Sequence, residues 1–223
     1  MTRSGMAIAS AVIVTAMLAL AVAVGSSLPP GMELPTHWNL AGEADRFSGK
    51  WEALFIPPAI VGGVSLLLYF LPSLEPRREG LQRSQGLYLS AWAGLLLVGV
   101  AIQLVTLSAA LGWDFAADRL IMGAVGVMLT LIGNQLGKSR SMYMVGIRTP
   151  WTLTSEEVWI KTHRLGGKLM VAAGLLMLAF SLVPISTEAR ALVVGMAVGV
   201  SVIVPVVYSF LLWRQEKKGQ ASR

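Results

Sequence analysis

The chain has 223 residues, 55% hydrophobic and only 13% charged, with a mean hydropathy of +0.66. Soluble domains carry about a quarter charged residues, so a water-covered globule is excluded and lipid must face most of this surface. The net charge of +6 does not call for a nucleic-acid partner, because cytoplasmic loops of membrane proteins collect Lys and Arg, and the absence of cysteine excludes disulfides, thiol catalysis and thiolate metal sites.

Six apolar runs reach the length of about 20 residues that a bilayer crossing needs: Gly5–Leu28, Leu54–Leu71, Gly86–Leu111, Leu120–Leu136, Leu169–Ile185 and Ala191–Trp213. Backbone polar groups in lipid must be satisfied within the segment, so each run predicts a helix. The class is therefore all-α and polytopic. The first run has an Arg3 ahead of it and an "AVA" at 21–23, but its apolar core is longer than a signal peptide's and reads as an uncleaved anchor. With the N-terminus inside, Lys and Arg divide fourteen inside to four outside, so both termini are expected on the cytoplasmic side of the membrane. Trp38, Trp51, Trp113, Trp151, Trp159 and Trp213 fall near span ends, as an interfacial belt requires. The pattern divides the chain into 1–136, four spans with an outer loop at 29–52, and 137–223, an inner loop, a surface helix and the last two spans.

The outer loop, "LPTHWNLAGEADRFSGKWE" over 34–52, is dense in turn formers and charge. Pro35, His37, Trp38, Asn39, Gly42, Glu43, Asp45, Arg46 and Lys50 form its candidate recognition surface, and ion pairs of Asp45 or Glu43 with Arg46 or Lys50 are expected. One histidine beside two carboxylates matches no tight metal spacing, so neither a metal nor another cofactor is expected. The run 54–71 opens with Pro57–Pro58 and predicts a kink. The span interiors hold no Asp, Glu, Lys, Arg or His, which argues against an ion-coupled transporter. Gln103, Thr130, Asn134 and Gln135 are expected to bond between helices, and "GNQLG" and "GMAVG" supply small faces for close packing within the chain or in a homo-oligomer.

The inner stretch "GIRTPWTLTSEEVWIKTHRLGGK", 146–168, is the most distinctive passage. Pro150 and Gly146 shape a tight loop. "TSEE" predicts a capping box, with Thr154 as N-cap and Glu157 at N3. A basic amphipathic surface helix is expected to follow, with Glu157, Lys161, Arg164 and Lys168 on one stripe, Trp151 and Trp159 as headgroup anchors, and a bend at Gly166–Gly167 into the fifth span. The guanidinium of Arg148 predicts a bidentate contact with Glu156, Glu157, a lipid phosphate or an acidic partner.

"NQLGKSR", "GIRTPWTLTSEEVW" and "KTHRLGGK" resemble the signature of the SdpI family, immunity proteins of bacteria against a sporulation-delaying toxin. "LPTHWNLAGEADRFSGK" resembles the small uncharacterised domain that often precedes it. Carried over by position, the signature residues include Asn134, Lys138, Arg140, Gly146, Arg148, Thr149, Pro150, Trp151, Thr152, Trp159, Lys161, His163 and Arg164. Where the family pattern has Asn before the aromatic at Tyr143, this chain has Met142, which puts a polar role there in doubt. The resemblance implies a membrane protein that protects against a secreted peptide toxin and, as in the founding member, signals through a cytoplasmic repressor held at the membrane. The alternatives are a membrane enzyme acting on lipid or peptide with His163, Glu156 and Arg148 at the inner surface, or a passive transporter. No nucleophile or metal set completes the enzyme site.

Overall fold

A computed structural model describes residues 2–38, 44–113 and 116–221, apart from the side chains of Trp38 and Ala221. The elements in chain order are α1 (Arg3–Ser27), β1 (Glu33–Trp38), β2 (Ala44–Gly49), α2 (Lys50–Leu74), α3 (Arg78–Arg83), α4 (Gln85–Leu111), α5 (Ala117–Leu136), α6 (Pro150–Thr154), α7 (Glu156–Leu182) and α8 (Thr187–Ala221). Six of the helices are long and apolar enough to cross a membrane, so the all-α multi-pass class read from hydropathy is borne out.

The bundle has two ends. The N-terminus of α1, the α2–α4 connection and residues 137–155 lie at the signature end. β1 and β2 pair antiparallel at the hairpin end, with irregular register after Pro35. The hairpin was not foreseen in the outer loop. Its second strand runs directly into α2, which continues as one helix through Pro57 and Pro58.

Helix pairs are held by close backbone approach rather than by the interhelical hydrogen bonds expected from Gln103 and Thr130. A Cβ at Gly126, Gly133, Gly167 or Gly174 would come within 3 Å of a backbone atom of the facing helix, so α5 and α7 touch main chain to main chain along their length. Gly166–Gly167 thus serves packing, and α7 passes through it without ending. The Thr130 hydroxyl bonds Gly126 of its own helix, and both amide atoms of the buried Gln103 lack a partner among the described residues. Among the bonds that cross between helices, Arg190 Nε of α8 donates to Asp118 Oδ2 of α5 at 2.6 Å, and two others come from aromatic side chains. Trp92 Nε1 donates to Ser10 Oγ at 3.0 Å, and Tyr88 Oη donates to the Leu68 carbonyl at 2.5 Å. Gly195 and Gly199 on α8 face nothing within 4 Å.

Candidate functional site

Four short-range events build the signature end. Thr149 caps α6: its hydroxyl accepts from Thr152 N at 3.2 Å while Thr152 Oγ1 accepts from Thr149 N at 2.9 Å. Ser155, not Thr154, caps α7 through Val158 N at 3.3 Å. The Thr154 hydroxyl instead bonds back to the carbonyls of Pro150 and Trp151. The capping box therefore sits one short helix earlier than "TSEE" suggested. A short helix does precede the fifth span, but it is α6; the stripe of Glu157, Lys161, Arg164 and Lys168 belongs to the first turns of the spanning helix α7. Lys161 pairs with Glu157 at 2.6 Å in the open, as the i,i+4 spacing predicted.

Behind this exposed stripe the same helix carries a sealed one. His163 and Trp159 are both 0% exposed, and their rings stack at 3.9 Å with 15° between planes. Trp159 is therefore no headgroup anchor; its Nε1 donates to Ser139 Oγ at 3.2 Å. His163 Nε2 accepts from the Ile147 N–H at 2.9 Å, so Nδ1 carries the proton and donates to the Trp159 carbonyl at 2.8 Å. Both ring nitrogens are spent on backbone. Gly146 closes over the pair with φ +115, and a Cβ there would lie 2.7 Å from His163 Nε2 and about 3 Å from the Trp159 ring. That position needs glycine both for its backbone and for its surroundings. Trp151 is half-buried against Phe210 and Trp213, and its Nε1 donates to Ser209 Oγ on α8.

The centre of this end is a residue that sequence reading passed over. Glu75, just past α2, is 2% exposed. Its carboxylate accepts from three backbone N–H groups: Arg77 at 2.9 Å, Tyr143 at 3.0 Å and Met144 at 2.7 Å. Charge-assisted bonds of this kind offset the cost of burying a carboxylate. Arg77 completes the clasp. It donates to Ser141 Oγ and to the Leu153 carbonyl, and its guanidinium lies 4.6 Å over the Tyr143 ring. Met142, standing where the family pattern has Asn, is fully buried beneath. The detectable signal was an acid in "LEPRREG", at a loop otherwise dominated by cations.

Other signature residues face outward. Asn134, Lys138 and Arg164 are exposed, and the Arg140 side chain reaches the carbonyls of Lys138 and Ser139. Among the described residues Arg148 makes one side-chain bond, from Nη1 to the Tyr143 carbonyl at 2.8 Å. Neither Glu156 nor Glu157 is its acceptor, so the expected bidentate contact within the chain is not formed. Pro150 opens α6 and is exposed. His163, Glu156 and Arg148 do not converge, because His163 is sealed while the other two point to the surface.

At the hairpin end, His37 Nδ1 meets Asp45 Oδ1 at 2.6 Å, both side chains largely exposed. Lys50 donates to the Leu28 carbonyl at 2.5 Å and lies 5.4 Å over the Trp51 ring. These contacts replace the Asp45–Arg46 and Asp45–Lys50 pairs that had been expected. Arg46 stands opposite His37 in the register, and Pro35 opposite Phe47. Asn39, Gly42 and Glu43 lie outside the described residues. A groove of about 540 Å³ runs along the hairpin base between Pro30–Glu33 and Gly49–Glu52.

Comparison with known proteins agrees with the motifs. Residues 138–209 match a family model described as the SdpI/YfhL protein family, and residues 12–62 match a domain of unknown function, DUF1648. The chain is 28% identical over 149 residues, 67% of its length and 69% of the other's, to the Immunity protein SdpI of Bacillus subtilis (strain 168). No solved structure matches. The resemblance to the SdpI family read from sequence is thereby borne out, with the uncharacterised domain in front of it.

Proposed function

We propose that this multi-pass membrane protein confers immunity to a secreted peptide toxin: the hairpin meets the peptide outside, and the signature end reports or responds in the cytoplasm. The relative named an immunity protein supports the first half of this reading. The fourteen-to-four division of basic residues supports the orientation, with the signature end and both termini inside. One observation carries the coupling between the two ends. α2 begins directly after the hairpin's second strand and is followed by Glu75, whose carboxylate is held by the N–H groups of Tyr143 and Met144 in the signature loop. A displacement of the hairpin thus has a helix to travel along and a fixed attachment at the far side. The exposed cations around that attachment, Lys138, Arg148, Lys161 and Arg164, are a surface that an acidic face of a cytoplasmic repressor would fit.

Sensitive cells expressing the chain and exposed to the peptide toxin test this. Asp45→Ala and Trp38→Ala should lower survival at unchanged membrane level, and Glu75→Gln should do the same from the opposite side of the bilayer. Full survival of all three variants would overturn the reading.

A further inference from the structure

Between α1 and α2, in the half of the bundle nearer the signature end, a slot of about 320 Å³ opens sideways from the helices. Its walls are small on both sides, with Ala7 and Ala11 on α1 and Gly62 and Ser65 on α2; its floor is the Trp92 indole, held in place by Ser10. Tyr69 stands at the signature-end mouth. The Arg3 guanidinium lies 4.8 Å from the Tyr69 ring centroid. Among the described residues Arg3 has no carboxylate partner.

The dimensions and the charge select an occupant. The lining on α1 runs from Ala7 to Val14, which closes the slot against Gly62, about 10 Å at 1.5 Å per residue. Arg3 stands one turn beyond the lining, so the cation and the closed end are about 16 Å apart, roughly one leaflet of a hydrocarbon core about 30 Å thick. An apolar trough with a cation just beyond its mouth is shaped for a lipid with a negative headgroup. We propose that the slot holds one acyl chain of an anionic phospholipid, with its phosphate on Arg3. A basic side chain at the headgroup level is worth ~1 kcal/mol toward anionic lipid, or about fivefold in occupancy. The site is separate from the hairpin and from the Glu75 clasp, and needs neither for its ligand.

The full chain, reconstituted in nanodiscs of equal phosphatidylglycerol and phosphatidylcholine and then released gently, should retain one lipid by native mass spectrometry. Phosphatidylglycerol should be preferred about fivefold. Arg3→Gln should keep the lipid but equalise the two headgroups. Ala11→Leu should fill the trough and lose the lipid, and with it the quenching of Trp fluorescence by brominated acyl chains. Equal retention of both lipids by the unaltered chain, or unchanged retention and quenching in Ala11→Leu, overturns the proposal. If Ala11→Leu changes the number of copies per particle and leaves lipid retention alone, a second copy of the chain occupies the slot and the lipid assignment is wrong.

Discussion

At the signature end, His163, Trp159, Thr152 and Glu75 are buried; at the hairpin end, His37 and Asp45 meet in the open on a two-stranded sheet. Both stretches stand out in the sequence, the inner one as the more specific, and each holds Trp, His, Gly, Pro and charge. The first uses those residues to fix its own backbone: imidazole, indole, hydroxyl and carboxylate all bond main chain or one another. The second leaves His37, Asp45 and Arg46 exposed. Specific-looking sequence therefore has two physical outcomes here, self-recognition at one end and exposure at the other.

The sharpest way to break this contrast is at Gly146. Gly146→Ala combines a positive φ with a Cβ pressed on His163 and Trp159. Such strain and overpacking cost about 1–3 kcal/mol each. The apparent unfolding midpoint in detergent, followed by Trp fluorescence, should fall more than for any substitution in the hairpin. Glu75→Gln comes next. It keeps an acceptor oxygen but loses the charge that Tyr143 and Met144 bond, a change of about 1.5–3 kcal/mol. A single cysteine at Ser141 in this cysteine-free chain should become faster to label in that background; an unchanged rate would mean the clasp does not hold the loop.

Arg148→Lys sharpens the contrast at the boundary between the two behaviours. With only the Tyr143 carbonyl as its acceptor, Arg148 should tolerate lysine within about 0.5 kcal/mol of stability. If lysine nevertheless fails to support protection, the unused part of the guanidinium fork binds a partner's acidic group. The smallest stability effect belongs to His37→Ala and Asp45→Ala, since an exposed pair contributes about 0–1 kcal/mol. Their unfolding midpoints should be unchanged while toxin survival drops. Loss of folding in either variant would make the hairpin a scaffold like the signature end.

How far the sequence reveals this molecule depends on distance along the chain. The six spans were legible because a helix in lipid is coded by the residues it contains. The capping of α6 and α7 was legible in kind but misplaced by one element. "TPWTLTSEE" offers four hydroxyls within seven residues as caps, and tertiary contacts of Thr149 and Thr152 choose among them. The basic stripe of α7 was read as a helix on the membrane surface because headgroup-level turns of a spanning helix carry the same spacing of Lys and Arg. Gly166–Gly167 looked like a bend because nothing local shows that the backbone of α5 lies against it. The role of Glu75 was hard to see for the same reason: apart from Arg77, its partners are 68 and 69 residues away. In the hairpin, a strand pair with irregular register and a proline at Pro35 leaves little alternation to detect.

The Glu75 clasp also sets an order of events during synthesis. At roughly 5–20 residues per second, about 3–14 s separate the emergence of Glu75 from that of Tyr143 and Met144. Throughout that interval α2 is complete, yet the carboxylate at its end has none of its loop donors and must remain hydrated. Only when α4 and α5 have been made and residues 141–144 arrive can the carboxylate leave water. The same acid that ties the finished protein together thus acts as a timer for its assembly, and a chain released before Tyr143 would leave the end of α2 untied.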